Sequence, residues 1–284
     1  MEPRRRARLK AIIDALERGL VERRQSVRLC LLCALAGEHT LLIGPPGTAK
    51  SELARRLHTV FREGRYFERL LTRFTVPEEL FGPLSIKALE QDRYERHTDG
   101  FLPDASIAFI DEVFKANSAI LNALLTLLNE REFDNGAGRQ RCPLISAVGA
   151  TNEVPEDEVA DAFFDRFLLR LPVTAVSAAN FGALLEVGPG CDWTAPPPGL
   201  ALDKKDLAEL ADAAAAVDVP AALVADQLQR GPMHVERHDP QATPEQQRQH
   251  VVGRRDPAEC QDAPSFEIES HVSQHEPPEE VAVE

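Results

Sequence analysis

Apolar residues first recur at helical spacing, at Leu9, Ile12, Ile13, Leu16 and Leu20, which predicts an amphipathic helix over 9–19. After the link Gly19-Leu20-Val21-Glu22-Arg23, the run from Val27 to Leu35 predicts a second helix over about 24–36, stopped at Gly37. The period then changes. Thr40-Leu41-Leu42-Ile43 is short, apolar and bounded by glycine, as a buried parallel strand is. Helical spacing returns with Leu53 and Leu57. Further strands are predicted at Phe67 to Phe74, Ser106 to Ile110, Leu144 to Ala150 and Leu168 to Val173. A strongly amphipathic helix is predicted over 117–130, with Ile120, Leu121, Leu124, Leu125 and Leu128 on one side. The turn Asn135-Gly136-Ala137-Gly138 predicts a hairpin over about 132–144. The whole reads as an α/β unit.

Two regions break this pattern. Residues 75–105 are polar and proline-bearing, and are read as an insertion emerging between a helix and a strand, the kind of loop that carries function. Beyond the fifth strand, Gly188-Pro189-Gly190 through Pro196-Pro197-Pro198-Gly199 reads as a linker between the sheet domain and a further helical segment. In that segment Leu207, Leu210, Ala211 and Ala214 have helical spacing, and Asp218-Val219-Pro220 breaks it before Leu223 to Leu228. From Gly231 the chain is rich in His, Gln, Pro and Glu and lacks periodicity, which predicts disorder over 231–284. His234, His238, His250, His271 and His275 lack tight ligand spacing and read as solvated coil.

Composition narrows the classes. The formal charge of −14 argues against a general nucleic-acid or membrane binder. Arg4, Arg5, Arg6 and Arg8 make a basic start, but Asp14, Glu17 and Arg18 interrupt the apolar residues after it, so no secretory leader is expected. No apolar run is long enough to span a membrane. Cys30 and Cys33 form a Cys-x-x-Cys with no second pair at zinc spacing, inside an apolar helical run. Core packing is the expectation for both, in a reduced, cytoplasmic setting.

The chemistry gathers at the carboxyl ends of the predicted strands. Gly44-Pro45-Pro46-Gly47-Thr48-Ala49-Lys50-Ser51 joins a strand to a helix, the setting in which a glycine-bearing loop cradles phosphates. Lys50 would reach the β- and γ-phosphates of a nucleotide, and Ser51 would ligate Mg²⁺. Ala49 stands where the general motif has glycine; since alanine lacks glycine's freedom at positive φ, a helical or extended conformation is expected there. Asp111 and Glu112 end the third strand, Asp111 suited to the Mg²⁺ held by Ser51 and Glu112 to an attacking water. Asn152 ends the fourth strand, where it can hold the water or the γ-phosphate or cap the next turn. Arg166, in Asp161-Ala162-Phe163-Phe164-Asp165-Arg166-Phe167, would meet a neighbouring subunit's nucleotide or form a surface ion pair with Asp165 or Glu158; Arg170 is its rival.

In this order the motifs resemble an AAA+ ATPase. Gly-Pro-Pro-Gly-Thr-Ala-Lys-Ser resembles the MoxR branch, in which the alanine is a family trait. Residues 71–86 (Leu71-Thr72-Arg73-Phe74 through Ser85-Ile86), Arg93-Tyr94-Glu95-Arg96 and Gly100-Phe101-Leu102-Pro103 resemble the RavA-type subgroup. The resemblance spans about 8–186. It implies a P-loop αβα sandwich with a five-stranded parallel sheet over 1–175, a linker and partial helical lid over 176–230, and ATP and Mg²⁺ as ligands. It also implies roles: Lys50 and Ser51 as Walker A, Asp111 and Glu112 as Walker B, Asn152 as sensor 1, and Arg166 as the arginine finger acting in trans. Leu20 and Val21 would meet the adenine. Residues 75–105 would hold the helix-2 insertion and 132–144 the pre-sensor-1 hairpin, both facing the channel of a hexameric ring. Members act as chaperone-like remodellers, commonly with a partner carrying a von Willebrand factor A (VWA) domain. No lid arginine motif is found after residue 231, so a shortened lid is expected.

The first functional expectation is a ring-forming, Mg²⁺-dependent ATPase that remodels a partner protein. The second is a nucleotide-binding regulatory subunit with little turnover. A third, a helicase of the related MCM type, shares the Ala-Lys-Ser loop, but the acidic balance and the absence of a zinc site weigh against it.

Overall fold

Strands buried on both faces carry apolar side chains at consecutive positions rather than alternate ones, and the central strands here follow that rule. A computed structural model describes residues 3–136, 138–152, 162–187 and 193–217. The chain begins with α1 (Pro3–Glu17) and α2 (Arg24–Leu35), then β1 (Thr40–Ile43), α3 (Lys50–His58) and β2 (Tyr66–Leu70). Two short helices come next, α4 (Pro77–Phe81) and α5 (Ile86–Leu89), before β3 (Ile107–Asp111) and α6 (Ser118–Glu130). A hairpin, β4 (Glu132–Asp134) with β5 (Arg139–Arg141), leads to β6 (Ser146–Thr151) and β7 (Leu169–Pro172). Helices α7 (Phe181–Val187) and α8 (Lys204–Ala215) complete the described elements.

The five-stranded sheet is parallel throughout, in the order β2-β3-β6-β1-β7. Its two faces carry separate cores. Leu42, Ile107, Phe109, Val148 and Ala150 meet Ile12 and Leu16 of α1, Val27 and Leu31 of α2, and Leu53 and Leu57 of α3. Leu41, Ala108, Ile110 and Ala147 meet Leu80 and Phe81 of α4 and the apolar side of α6. The expected three-layer α/β sandwich with a five-stranded parallel sheet is the observed fold. Cys30 is buried in the first core and Cys33 is buried with its Sγ donating to His39 O at 3.2 Å, and burial pushes both thiols upward.

Several boundaries move. The first helix starts earlier, at Pro3, a residue suited to a first helical turn. The second strand ends at Leu70 instead of running to Phe74, because residues 71–75 turn, with the Thr75 hydroxyl accepting from Thr72 N at 2.9 Å. The 75–105 region does not emerge between a helix and a strand. It lies between β2 and β3 and is partly structural, since Leu80, Phe81, Ala88 and Leu102 are buried.

The proline-rich stretch, described from Trp193, is no free spacer. Trp193 Nε1 donates to Ala15 O at 2.9 Å, and Leu202 N donates to Val60 O at 2.7 Å. Leu207 and Leu210 of α8 pack onto the first core, and α8 opens with a capping box between Asp203 and Asp206. Gly188 to Gly190, Leu223 to Leu228, Glu158 and the expected tail from 231 with its histidines lie outside the described residues.

Candidate active site

Parallel pairing sets Ile43 level with Thr151 on one side and Pro172 on the other, and Ile110 level with Gly149. The carboxyl ends of β1, β3 and β6 therefore share one edge, and with them Gly44, Asp111 and Asn152. Gly44 N donates to Thr151 O at 2.9 Å, stitching the loop's first residue to the end of β6. Only glycine fits there, because a Cβ would lie 2.0 Å from Val173 O.

The loop reverses through two left-handed residues, Gly47 (φ 77°) and Ala49 (φ 65°, ψ 27°). The expectation that Ala49 is helical or extended is thus incorrect. A left-handed alanine costs roughly 1–2 kcal/mol, and here the surroundings hold it. Ala49 O accepts from Leu53 N at 3.0 Å to open α3, and the preceding carbonyl, Thr48 O, accepts from Arg23 Nε at 3.0 Å. No side chain caps the N-terminus of α3, so its first-turn amides have no side-chain acceptor at the positive end of the helix dipole.

Lys50 is the first residue of α3 and Ser51 the second. The Lys50 ammonium reaches back over the loop and donates to Gly44 O at 2.7 Å and Pro45 O at 2.8 Å. Partial burial lowers its pKa, while the charges of Asp111 and Glu112 oppose that shift. Asp111 Oδ1 accepts from Glu112 N at 3.0 Å, and Glu112 itself is left-handed (φ 50°, ψ 44°). Glu112 Oε2 is shielded from solvent and accepts no hydrogen bond, although the Lys115 ammonium lies 3.3 Å away. An ammonium, uncapped amides and an under-satisfied carboxylate on one edge fit a polyphosphate with a divalent cation.

Asn152 is exposed at the end of β6. Arg166 is exposed on a turn anchored by buried Phe163 and Phe167, and Phe163 packs edge-on against Phe114 just beyond Glu112. The Asp165 carboxylate pairs with Arg170 at 2.8 Å, and the Arg170 guanidinium lies 4.2 Å from the Phe164 ring centre. The rival arginine is engaged within its own chain, and Arg166 makes no ion pair with Asp165. Leu20 and Val21 are half-buried in the link between α1 and α2.

Motif and periodicity leave Arg23 unmarked. Its guanidinium is buried and donates to Thr48 O, to Glu22 O at 3.1 Å and to Thr174 O at 2.6 Å. The neighbouring Glu22 carboxylate accepts from Ser177 N at 2.9 Å, from the Ser177 hydroxyl and from Asn180 Nδ2 at 2.6 Å, which hold it well below the usual carboxylate range. The one trace of this in the sequence is an adjacent pair of opposite charges in a short link.

Comparison with known proteins places this geometry. Residues 7–212 match the family described as the MoxR domain in the MoxR-vWA-beta-propeller ternary systems. Two uncharacterized proteins of Methanocaldococcus jannaschii, MJ0812 and MJ0079, are each 49% identical over 63% of this chain and 48% of their own length. Protein MoxR of Paracoccus denitrificans is 28% identical over 61% of this chain and 52% of its own. The chain spans about half the length of these curated relatives. The crystal structure of a proposed ATPase from Cytophaga hutchinsonii shares the fold, with a TM-score of 0.62 and 18% identity over 77% of this chain and 66% of that one. On the extent of the family match, the chain belongs to the MoxR family of AAA+ ATPases.

Proposed function

We propose that the protein hydrolyses ATP in a homo-hexameric ring and uses the cycle to remodel a partner protein in the cytoplasm. The observation that carries the reading is the convergence of the Lys50 ammonium, the uncapped start of α3 and the Asp111–Glu112 pair on one sheet edge. In this reading the loop Gly44-Pro45-Pro46-Gly47-Thr48-Ala49 cradles the phosphates and Lys50 neutralises their charge. Ser51 and Asp111 would hold Mg²⁺, which when bound supplies further neutralisation of charge developing on the phosphates. Glu112 orients the attacking water and takes its proton, a role worth about 10²–10⁴ in rate. Asn152 positions the same water or the γ-phosphate, and Leu20 and Val21 flank the adenine. Arg166, exposed and with Asp165 paired to Arg170 instead, supplies its charge to the site of the adjacent subunit, a contribution of about 10³–10⁵ in rate.

Membership of a family defined by MoxR-vWA-beta-propeller systems supports a VWA-domain protein as the partner. A place in the RavA-type subgroup rests on the sequence pattern of residues 71–103 alone.

The test is steady-state ATP hydrolysis against protein concentration, with Glu112→Gln and Arg166→Ala beside the parent. Turnover per chain is expected to rise with concentration and to fall at least about 100-fold in both variants while ATP still binds. A flat, near-background rate in all three, with ATP bound, would replace this reading with that of a hydrolysis-poor, nucleotide-binding regulatory subunit.

A further inference from the structure

Arg23, Arg56 and Arg131 each collect backbone carbonyls. Arg56 donates to Leu16 O and Arg18 O, and Arg131 to Gly37 O, Leu144 O and Ile145 O. Neither holds a carbonyl of the phosphate loop. Arg23 differs in what it holds: one of its carbonyls, Thr48 O, belongs to the phosphate loop, and another, Thr174 O, to the segment that leaves β7. Taking a guanidinium out of water with no carboxylate on it is costly. The peptide unit it grips is rigid and planar, with C=O and N–H pointing in opposite directions. Holding Thr48 O toward Arg23 therefore aims the Ala49 amide the other way, away from the guanidinium.

The adjacent residue extends the connection. Glu22, itself left-handed (φ 58°), gathers Ser177 N, the Ser177 hydroxyl and Asn180 Nδ2 just before α7 begins at Phe181. One short link thus grips the phosphate loop with one side chain and the root of α7 with the next. We propose that Glu22 and Arg23 are positioning residues that couple filling of the phosphate loop to the placement of the 174–187 arm. A phosphate drawing on the Ala49 amide pulls on the Thr48–Ala49 peptide. That pull passes through the Arg23 guanidinium to Thr174, and the arm is held to the same link by Glu22.

The inference rests on the loop being a nucleotide site, and the experiment separates the two. Affinity for Mg·ADP and amide hydrogen exchange over 174–187, with and without Mg·ADP, are measured for the parent, Glu22→Ala, Arg23→Met and Arg23→Lys. In the parent, Mg·ADP slows exchange in the arm several-fold. Glu22→Ala, an exposed change that keeps the fold, is expected to bind Mg·ADP within about threefold of the parent while the arm no longer responds. Arg23→Met is expected to weaken binding at least tenfold. Lysine should not rescue it, since one ammonium cannot span three carbonyls with the guanidinium's fixed fork. A Glu22→Ala arm that exchanges faster yet still slows with Mg·ADP as the parent does would reduce the pair to a structural tie and overturn the proposal. Unaltered affinity in Arg23→Met would do the same. A parent that binds no Mg·ADP would overturn the nucleotide-site reading and the coupling together, whereas binding with an unresponsive arm overturns the coupling alone.

Discussion

At the residue scale, the site is organised by side chains in the left-handed region that are not glycine. Ala49 and Glu112 both sit there, one turning the phosphate loop into α3 and the other turning the end of β3 so that the Glu112 carboxylate stays at the sheet edge. Ala49→Gly removes the clash of the Cβ with its own backbone but adds freedom to the unfolded chain. The first effect is the larger at positive φ, so a gain of about 0.5–1 kcal/mol in urea unfolding is expected. A loss of stability would mean that Cβ contacts, not backbone strain, decide this position. His39 is a second residue with a readable consequence. Its buried ring accepts from Ala147 N at 2.9 Å through Nδ1 and faces Leu128 O at 3.2 Å through Nε2, so it is neutral and donates from Nε2. Burial first, then the nearby Arg131 charge, lowers its pKa to about 4. The unfolded chain takes up this proton near pH 6.5 and the folded chain does not, so stability falls as pH drops from 6.5 toward 4. Between pH 7.5 and 5 this group alone should remove about 2 kcal/mol. His39→Asn keeps the acceptor for Ala147, and its stability should change less over the same interval; equal slopes would discard the assignment. Motif chemistry made Lys50, Ser51, Asp111 and Glu112 legible, because the motif specifies residue types at fixed spacing. The conformation of Ala49 and the role of Arg23 were not, since both depend on which way one peptide plane faces.

Among elements, the distinctive feature is the union of the hairpin with the region between β2 and β3. Asn135 Oδ1 accepts from Arg96 N at 2.7 Å, and Asn135 Nδ2 donates to Arg96 O at 3.3 Å, so one side chain imitates a strand partner. Gly136 (φ 72°) packs so close that a Cβ would lie 1.7 Å from Tyr94 O. The rings of Phe81 and Phe133 stack at 5.2 Å, and Arg96 donates to Gly82 O at 2.8 Å and to Glu78 at 3.0 Å. The hairpin also comes directly after α6, and Asn117, which caps α6, donates to Thr75 O at 3.4 Å. The two segments should move as one body. Asn135→Ala leaves the Arg96 amide unsatisfied, at about 1–3 kcal/mol. Hydrogen exchange over 93–97 is then expected to quicken by about tenfold or more, with β1, β3 and β6 unchanged; equal exchange would show the stack of phenylalanines to be sufficient. Hydrophobic period revealed α6, β1, β3 and β6, whose apolar runs are long or continuous enough to set a phase. It missed α4 and α5, of 5 and 4 residues, because neither fills a periodic window, and Pro77 at the start of α4 and Pro83 between the two read as loop. The exposed Phe74 lengthened the second strand falsely: an aromatic residue reads as strand in sequence, while the Thr72–Thr75 turn that ends it is a matter of hydroxyl geometry.

On the scale of the whole described molecule, the question is whether the arm over 193–217 opens with the sheet or ahead of it. Composition placed a linker over its first part, as far as Gly199, since prolines and glycines dominate there, and the anchoring contacts come from residues nearly two hundred positions away. The Arg8 guanidinium pairs with Asp206 at 2.8 Å and also donates to Leu200 O and Ala201 O, so one α1 side chain grips both the stretch before α8 and the first turn of α8. Arg56, buried between Leu16 O and Arg18 O, stacks its guanidinium 4.8 Å from the centre of the Trp193 ring. These contacts join the arm to α1 and α3, which are themselves seated on the first core. Trp193 is the single tryptophan of the chain, so its fluorescence reports this junction alone. If the arm and the sheet form one cooperative unit, the urea transition of Trp193 fluorescence coincides with that of far-ultraviolet circular dichroism. Arg8→Ala removes charge-assisted hydrogen bonds worth about 1.5–3 kcal/mol each in comparable settings, discounted here because Arg8 and Asp206 are both part-exposed. The expected outcome is a fluorescence transition that moves to lower urea than the dichroism transition, as the arm releases before the sheet unfolds. Coincident transitions in Arg8→Ala would instead assign the hold to the apolar contacts of Ala201, Leu202 and Leu207, and Leu202→Ala would then be the substitution that separates the two.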